Sequence, residues 1–210
     1  MSTLKVESEY RPLRSPIRFF VSSTRQGRGG SSVRHLGLLI ARIVFGCYLA
    51  VHGAQKLFGS FNGSGPDITG GFFKQIGLRP SKPMAYLAGA SELAGGMLTA
   101  TGIADPLGPV IIAGTMAVAS STHLDKGALA QDGGFELPLT NMAMAIALMS
   151  SGTGAVRLGP RAPRSILRFS LVAGIVLAGI TLTQILSKRN ATKLEDTVAK
   201  SENESGLSNG

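Results

Sequence analysis

The sequence has no tryptophan, a single cysteine, and aromatic residues at only 6% of the chain. With Cys47 alone, the chain cannot form an intrachain disulfide or a CxxC redox motif, so any thiol chemistry requires a partner. In an apolar segment, a lone cysteine is most simply a small packing residue. The scarcity of aromatics and the lack of a nucleic-acid motif argue against a nucleic-acid partner, although the net charge is +9.

Charged residues are scarce in the middle of the chain. Hydrophobic residues make up 44% of the sequence and concentrate between residues 36 and 187, whereas both ends are polar. The mean hydropathy of +0.23 averages these apolar blocks with the two tails. The 28 glycines suit packed transmembrane helices, because small residues let backbones approach closely. The composition therefore predicts an integral membrane protein in contact with the lipid bilayer.

Five apolar segments approach the length of a membrane-spanning helix, which is about 20 residues. They lie at residues 36–58, 84–103, 107–124, 137–156 and 166–186. The first is too long for the core of a signal peptide, and no small-x-small cleavage site follows it. Gly102 and the Asp105–Pro106 pair separate the second and third segments, which predicts that these two spans are antiparallel neighbours.

The polar ends and loops divide the chain into four predicted parts. Residues 1–35 form a flexible basic tail, 36–156 a four-helix membrane domain, 157–187 a basic loop and an additional transmembrane helix, and 188–210 a disordered polar tail. Seven Lys or Arg residues precede the first span, which favours a cytoplasmic N-terminus. Five spans would place the basic C-terminal tail outside, so a re-entrant or interfacial fifth segment is the alternative.

Four ionisable residues interrupt the first two predicted spans: Arg42, His52, Lys56 and Glu92. A charge near the bilayer centre costs roughly 2.5–3.5 kcal/mol on insertion scales, so none of them is expected to face lipid unpaired. His52 and Lys56 are four residues apart and share a helix face. With a rise of about 1.5 Å per residue, antiparallel spans put Glu92 at nearly the same depth as His52.

Further polar groups are predicted in the same outer half of the membrane, since His123 ends the third span and Glu136 begins the fourth. We predict a polar intramembrane site with three catalytic and two ligand-binding residues, namely Glu92, Lys56 and His52, and Arg42 and His123. A structural ion pair that only fixes helix register is the alternative. Arg42 lies nearer the inner half, and the sequence leaves open whether it pairs structurally or binds ligand. Glu136 is predicted to start a helix, since carboxylates stabilise helix N-termini.

Motifs for bound cofactors are not found in the sequence. It contains no metal-ligand cluster of recognised spacing, no nucleotide-binding loop after a strand, and no visible flavin or nicotinamide site. An electron route would therefore need a bound quinone or a partner protein. A haem ligated by His52 and His123 is an alternative.

Several segments resemble the DoxX family of small bacterial membrane proteins. They are LLIARIVFGCYLAVHGAQKLFG (38–59), GGFFKQIGL (70–78), SELAGGMLTATG (91–102) and GGFELPLT (133–140). The resemblance covers residues 36–156 and implies a four-helix membrane bundle. The predicted fold class is therefore an all-α membrane protein with this four-helix transmembrane bundle and a fifth C-terminal transmembrane helix. That fifth segment and the long basic N-terminal tail depart from the family's pattern.

The resemblance also implies a redox association. Family members are often described as oxidoreductases, and relatives are linked to quinone-coupled thiosulfate oxidation. Actinobacterial members are linked to membrane complexes with superoxide-detoxifying and sulfurtransferase enzymes. We therefore expect a multi-pass subunit of a redox or oxidative-stress system in the bacterial inner membrane, with a superoxide dismutase or a sulfurtransferase as soluble partner.

In this interpretation a quinone-like or small sulfur-containing molecule binds near Glu92, Lys56 and His52. One alternative is a non-enzymatic scaffold that docks soluble redox enzymes. A small-solute transporter with Glu92 as the coupling group is a further alternative. The sequence leaves open whether the chain is itself catalytic and whether it forms a homo-oligomer.

Overall fold

A computed structural model of the protein describes residues 28–154 and 156–207, which contain helices and turns but no β-strand. Six α-helices follow one another within these residues. They are α1 Arg28–Phe58, α2 Gly65–Gln75, α3 Ser81–Thr101, α4 Leu107–Thr122, α5 Glu136–Ser151 and α6 Arg164–Leu207. Short 3₁₀ turns lie in the loops at Ser60–Asn62, Leu124–Lys126 and Ala130–Asp132. The predicted all-α class is confirmed for the described residues.

Two helices in the described part of the chain are long and apolar enough to cross a membrane. They are Ser32–Phe58 in α1 and Arg164–Lys200 in α6. Only 28% and 11% of their apolar windows are buried inside the protein, unlike the core helix of a soluble protein. α4 is apolar but shorter, with 16 residues. The helices support a membrane protein, while the arrangement of four spans plus a fifth stays a prediction.

The break between α3 and α4 follows the predicted sequence signals. α3 ends before Gly102, whose φ of +70° is a left-handed conformation that glycine adopts without strain. Pro106 directly precedes Leu107, the first residue of α4. The two helices pack against each other, as predicted. We call the end of the bundle with the start of α3 and the end of α4 the upper end, and the opposite end the lower end.

α1 and α3 form the most extensive helix–helix contact, and they cross at glycines. A Cβ atom added at Gly53 would lie 2.6 Å from the backbone oxygen of Gly89, and one added at Gly96 would lie 2.5 Å from that of Gly46. Real Cβ atoms essentially never come this close to backbone, so the two helices approach each other only because these residues lack a Cβ atom. This approach brings Glu92 on α3 next to α1.

α4 lies in the middle of the described bundle, where α3, α5 and α6 all pack against it. The main apolar cluster joins α1, α4 and α5 through Phe45, Leu49, Ile112, Met116, Ala145 and Leu148. α4 and α6 cross at Gly114 and Gly174, where a Cβ added to either glycine would lie 3.3 Å from the Cα of the other. α6 is therefore a packed part of the bundle.

α6 runs from the lower end of the bundle to the upper end. Just before its start, the backbone nitrogen of Ala162 donates to the backbone oxygen of Asp105 at 3.1 Å, in the turn between α3 and α4. Near the upper end, the Gln184 side chain exchanges two hydrogen bonds with the backbone of Arg79, at 3.0 and 3.1 Å. α6 is consequently antiparallel to α3, which runs from the upper end to the lower end.

Both predicted tails are partly helical. Residues 28–35 belong to α1, and the rest of the predicted N-terminal tail, 1–27, lies outside the described residues. Residues 188–207 belong to α6, so the prediction of a disordered tail over these residues was wrong. No glycine or proline interrupts residues 180–205, and their Ala, Lys, Glu and Leu are good helix formers.

Candidate functional site

A cavity of about 710 Å³ lies between α1, α2, α3, α4 and α6. Its polar lining includes His52, Gln55, Lys56, Ser91, Glu92, Thr115 and His123. Its apolar lining includes Leu87, Val110, Ile111, Phe169 and Leu177. The volume is within the range of roughly 300–1,000 Å³ that pockets for drug-sized ligands have. The cavity therefore has the size and the mixed lining of an organic ligand site.

The cavity brings together four of the five predicted site residues. His52 and Lys56 come from α1, Glu92 comes from α3, and His123 follows the last residue of α4. Arg42, the fifth, lies nearer the lower end, outside the lining of the cavity. The structure thus juxtaposes the four residues as their predicted depths suggest, while the role of each one stays a prediction.

An ion pair between Lys56 and Glu92 forms part of the cavity wall. The Lys56 ammonium donates to the Oε1 atom of Glu92. The Glu92 side chain is only 3% exposed, whereas that of Lys56 is 31% exposed. The second carboxylate oxygen, Oε2, is buried and has no hydrogen-bond partner among the described residues. An unsatisfied buried polar atom costs about 1–3 kcal/mol, so a ligand group that donates to Oε2 would be favoured there.

His52 lies one helical turn before Lys56 on α1. Its ring meets the Tyr48 ring edge to face, with centroids 4.6 Å apart. This contact favours one orientation of the imidazole, because aromatic rings prefer edge-to-face geometry. The side chain is half-buried and lines the cavity. A ring nitrogen of His52 is therefore available to a ligand beside the ion pair.

His123 lines the upper end of the cavity. Its Nδ1 lies 2.6 Å from the backbone oxygen of Gly133. Because a carbonyl oxygen only accepts, we assign the proton to Nδ1, which leaves Nε2 as an acceptor in the neutral ring. The ring stacks on Phe72 with centroids 6.1 Å apart, and the Lys126 ammonium lies 5.6 Å from the Phe72 centroid. These contacts fix His123 in the upper wall.

The cavity lining combines polar groups with apolar walls. Within residues 28–154 and 156–207, no group of three or more His, Cys, Asp or Glu side chains could hold a metal ion. α1 and α3 contribute His52, Lys56 and Glu92 to the lining, whereas α4 and α6 contribute Val110, Ile111 and Leu177 together with Thr115 and Ser170. The lining therefore fits a molecule with a polar head group and an apolar body.

Arg42 binds main-chain carbonyls near the lower end of the bundle. Its guanidinium donates to the backbone oxygens of Thr99, Thr153 and Val156, at distances between 2.8 and 3.0 Å. Thr99 lies in the last turn of α3, and the other two residues follow α5. Arg42 is only 2% exposed, so its positive charge is compensated by these carbonyl dipoles inside the protein. The structure therefore shows a cross-link between α1, α3 and the segment after α5, and a ligand-binding role for Arg42 stays a prediction.

The turn between α3 and α4 contains a carboxylate, Asp105, that is only 7% exposed. Burial raises the pKa of Asp105 above its ordinary value, and the positive charges of Arg42, Arg161 and Arg157 oppose this shift only in part. The folded state therefore holds the proton more tightly than the unfolded state. The stability that this group contributes is present below the ordinary pKa of about 3.9 and is lost as the pH rises through the higher folded-state pKa.

We expect Asp105→Asn to weaken this pH dependence, because asparagine resembles the protonated carboxyl group in shape and does not titrate. As the pH is raised from about 3.5 to about 7, the thermal unfolding midpoint of the variant in detergent micelles should rise relative to that of wild type. Asp132→Asn, which removes a carboxylate from an exposed loop, controls for the change in net charge. If the midpoint of wild type instead rose relative to that of the variant, the positive charges of the arginines would outweigh the effect of burial on the pKa of Asp105.

Glu136 is the first residue of α5, as predicted. Its Oε2 accepts a hydrogen bond from the backbone nitrogen of Ala130 at 2.9 Å, in the loop that precedes the helix. It is not among the residues that line the cavity. Glu136 therefore organises the start of α5 and provides a carboxylate for comparison with Glu92.

Sequence reasoning missed the contributions of α2 and α6 to the cavity. α2 contributes Phe72 and Phe73, which lie in the sequence between the first two predicted spans. One face of α6 contributes Phe169, Ser170, Ala173, Gly174 and Leu177. A signal for this face was present, because Ser170 and Gly174 interrupt an apolar run at a spacing of four residues. The fifth apolar segment is thus part of the candidate site.

Comparison with protein-family models matches residues 37–124 to the DoxX family. Neither the curated proteins nor the solved structures contain a significant match to the chain. The matched segment extends from α1 to just after α4 and contains all five predicted site residues, whereas α5 and α6 lie beyond it. This match supports membership of the DoxX family, and together with the two long apolar helices it supports a membrane protein.

Proposed function

We propose that the cavity binds an amphipathic organic molecule with a redox-active polar head, of which a quinone is the best example, and that the chain is a membrane subunit of a redox system. The observation that carries this proposal is Glu92 Oε2, a buried carboxylate oxygen without a partner among the described residues, beside Lys56 in the cavity wall. A hydroxyl group of a hydroquinone would donate to Oε2. A quinone carbonyl would accept from the partly exposed Lys56 ammonium.

The size of the cavity favours an organic ligand over a small anion. A water molecule takes up about 30 Å³ in the liquid, so thiosulfate or superoxide would fill only a small part of the 710 Å³ volume. The apolar walls of α4 and α6 would have no partner on such an ion. Of the two ligand classes that the sequence suggests, the quinone-like molecule therefore fits the cavity better than the small sulfur compound.

The residues of the cavity support proton transfer at the head group. Oxidation of a bound hydroquinone would release two protons and two electrons, and the electrons would pass to a partner protein. Glu92 would accept one of the two protons at Oε2 and become neutral while its Oε1 keeps the hydrogen bond from Lys56, and His52 would accept the other proton. His52 lies beside the pair at nearly the depth of Glu92, and His123 lies at the upper end, so His123 can pass a proton on between Glu92 and the upper surface.

Glu92→Gln tests this proposal, because glutamine keeps the shape of the side chain but cannot take up a proton. We expect the dissociation constant of a naphthohydroquinone, kept reduced under anaerobic conditions, to rise about tenfold or more, which corresponds to one lost charge-assisted hydrogen bond. Binding is measured by titration of the protein in lipid nanodiscs, with thermal unfolding as the check of folding. Glu136→Gln is the matched control, since that carboxylate lies outside the cavity.

Equal affinities of folded Glu92→Gln and wild-type protein would remove Glu92 from the proposed function.

A second candidate function is a non-enzymatic scaffold for soluble enzymes such as a superoxide dismutase or a sulfurtransferase. The observation that favours it is the polar helical extension of α6, residues 188–207, which offers a surface for such partners. A scaffold predicts that wild-type protein binds no quinone and that Glu92→Gln changes only stability or partner capture.

The cellular setting remains part of the proposal. We place the chain in the bacterial inner membrane with the N-terminus in the cytoplasm, on the strength of the seven basic residues that precede the first span. With this orientation the upper end of the cavity, with His123, faces the outer side. The small-solute transporter stays an alternative prediction, and so does the formation of a homo-oligomer.

A further inference from the structure

Two of the helices that line the cavity, α3 and α6, are antiparallel and both pack on α4. α3 and α6 each direct one stripe of side chains into the cavity. On α3 the stripe includes Leu87, Ala88 and Ser91, and on α6 it includes Phe169, Ala173 and Leu177. Since α4 forms the back wall between these helices, the space opposite α4 is where the cavity can reach the surface of the bundle.

Exposed lining residues on α3 and α6 locate one opening of the cavity. Leu87 lines the cavity and is 45% exposed, and Phe169 lines it and is 74% exposed. Residues that line a cavity and remain exposed mark the place where it meets the protein surface. The neighbouring surface of α6 is apolar, with Val172 and Ile175 at least 60% exposed, as expected for a helix in contact with lipid. The opening therefore faces the hydrocarbon region of the bilayer.

The upper end of the cavity is covered only in part, since Asn62, Ser64 and Ile68 before and within α2 also line the cavity and are exposed. His123 stacks on Phe72 and is held by the backbone oxygen of Gly133. The two hydrogen bonds between Gln184 and the Arg79 backbone tie α6 to the loop before α3. These contacts close the side of His123 and Arg79, so a ligand that arrives from water would have to enter beside Asn62, Ser64 and Ile68.

We propose that the ligand reaches the cavity sideways from the bilayer, through an opening between α3 and α6 that Leu87 and Phe169 frame. The inference rests on the proposed ligand site and narrows the ligand class. The ligand dissolves in lipid, its polar head reaches Glu92, and its apolar tail lies in the opening. α6, which is outside the segment matched to the DoxX family, then forms one side of the opening and helps to select the ligand.

The first test compares two probes, a tail-free naphthoquinone and the same ring with a decyl chain, in lipid nanodiscs. Phe169→Trp narrows the opening, and its position at an exposed site should allow the variant to fold. We expect the association rate constant of the tailed probe to fall about tenfold, with a smaller effect on the tail-free probe. Val172→Trp is the matched control, because Val172 is 60% exposed on α6 and does not line the cavity. Equal association rates in Phe169→Trp and Val172→Trp would overturn the lateral opening.

A second measurement does not require quinone binding. Thr115→Cys places a thiol in the cavity wall, in a Cys47→Ser background, and two maleimides compete to label it, one lipid-soluble and one sulfonated. We expect the lipid-soluble reagent to label faster, and Phe169→Trp to slow that labelling. Faster labelling by the sulfonated reagent would overturn the lateral opening whatever the ligand is. Lateral labelling in a protein that binds neither quinone would overturn the proposed function and leave the opening intact.

Discussion

Gly53→Ala is expected to force α1 and α3 apart and to destabilise the protein strongly. An added Cβ atom would lie 2.6 Å from the backbone oxygen of Gly89 and would also overlap the backbone of Leu93. All of these atoms belong to helix backbone, so no side-chain rotation can relieve the overlap. Overpacking typically costs about 1–3 kcal/mol, and rigid backbone on the opposite side puts this substitution at or above about 3 kcal/mol.

Stability is measured by unfolding the purified protein in mixed micelles that contain an increasing fraction of a denaturing detergent. Gly179→Ala is the matched control, because Gly179 is also a helical glycine but has open space around the added Cβ atom. That substitution should raise stability by up to about 1 kcal/mol through helix propensity. Quinone binding should also weaken in Gly53→Ala, since His52 and Lys56 would move away from Glu92. Equal stability of the two variants would contradict the close crossing of α1 and α3.

Lys56→Met is expected to have the second large effect, because it leaves the Glu92 carboxylate buried without its cation. Removing one partner of a buried ion pair costs about 3–5 kcal/mol. We expect about 3 kcal/mol, the lower end of this range, because Lys56 is 31% exposed. The double variant Lys56→Met with Glu92→Gln should recover most of the loss, since no uncompensated charge remains.

Unfolding free energies of the wild type, both single variants and the double variant form a double-mutant cycle that isolates the interaction. Lys82→Met is the matched control, since Lys82 pairs with Asp67 at 2.7 Å but both side chains are largely exposed. Its cost should be much smaller than that of Lys56→Met, as for other exposed pairs. If the double variant were as unstable as Lys56→Met alone, the loss would come from packing of the lysine stem and not from charge.

The juxtaposition of His52, Lys56 and Glu92 could be predicted from the sequence for a geometric reason. Helical rise and the short turn after Gly102 relate depth to residue number, and small residues indicate which faces approach. The prediction of a disordered tail failed from residue 188 onward. A polar composition was taken to indicate disorder, although residues 188–205 contain no glycine or proline. The carbonyl partners of Arg42 could not be predicted either, since they depend on how the segment after α5 folds back against α3.

The α-helical membrane character, the break at Gly102 and the shared depth of the buried ionisable groups were determined by the sequence alone. These properties depend on hydropathy, glycine and proline positions, and the regular rise of a helix, all of which are local. Only the tertiary structure decided that four of the five predicted site residues line one cavity, that Arg42 does not, and that α6 forms a wall of it. The physical reason is that a cavity depends on how helices pack across long sequence separations. At the crossing of Gly114 and Gly174, two residues far apart in sequence set the position of α6 against α4.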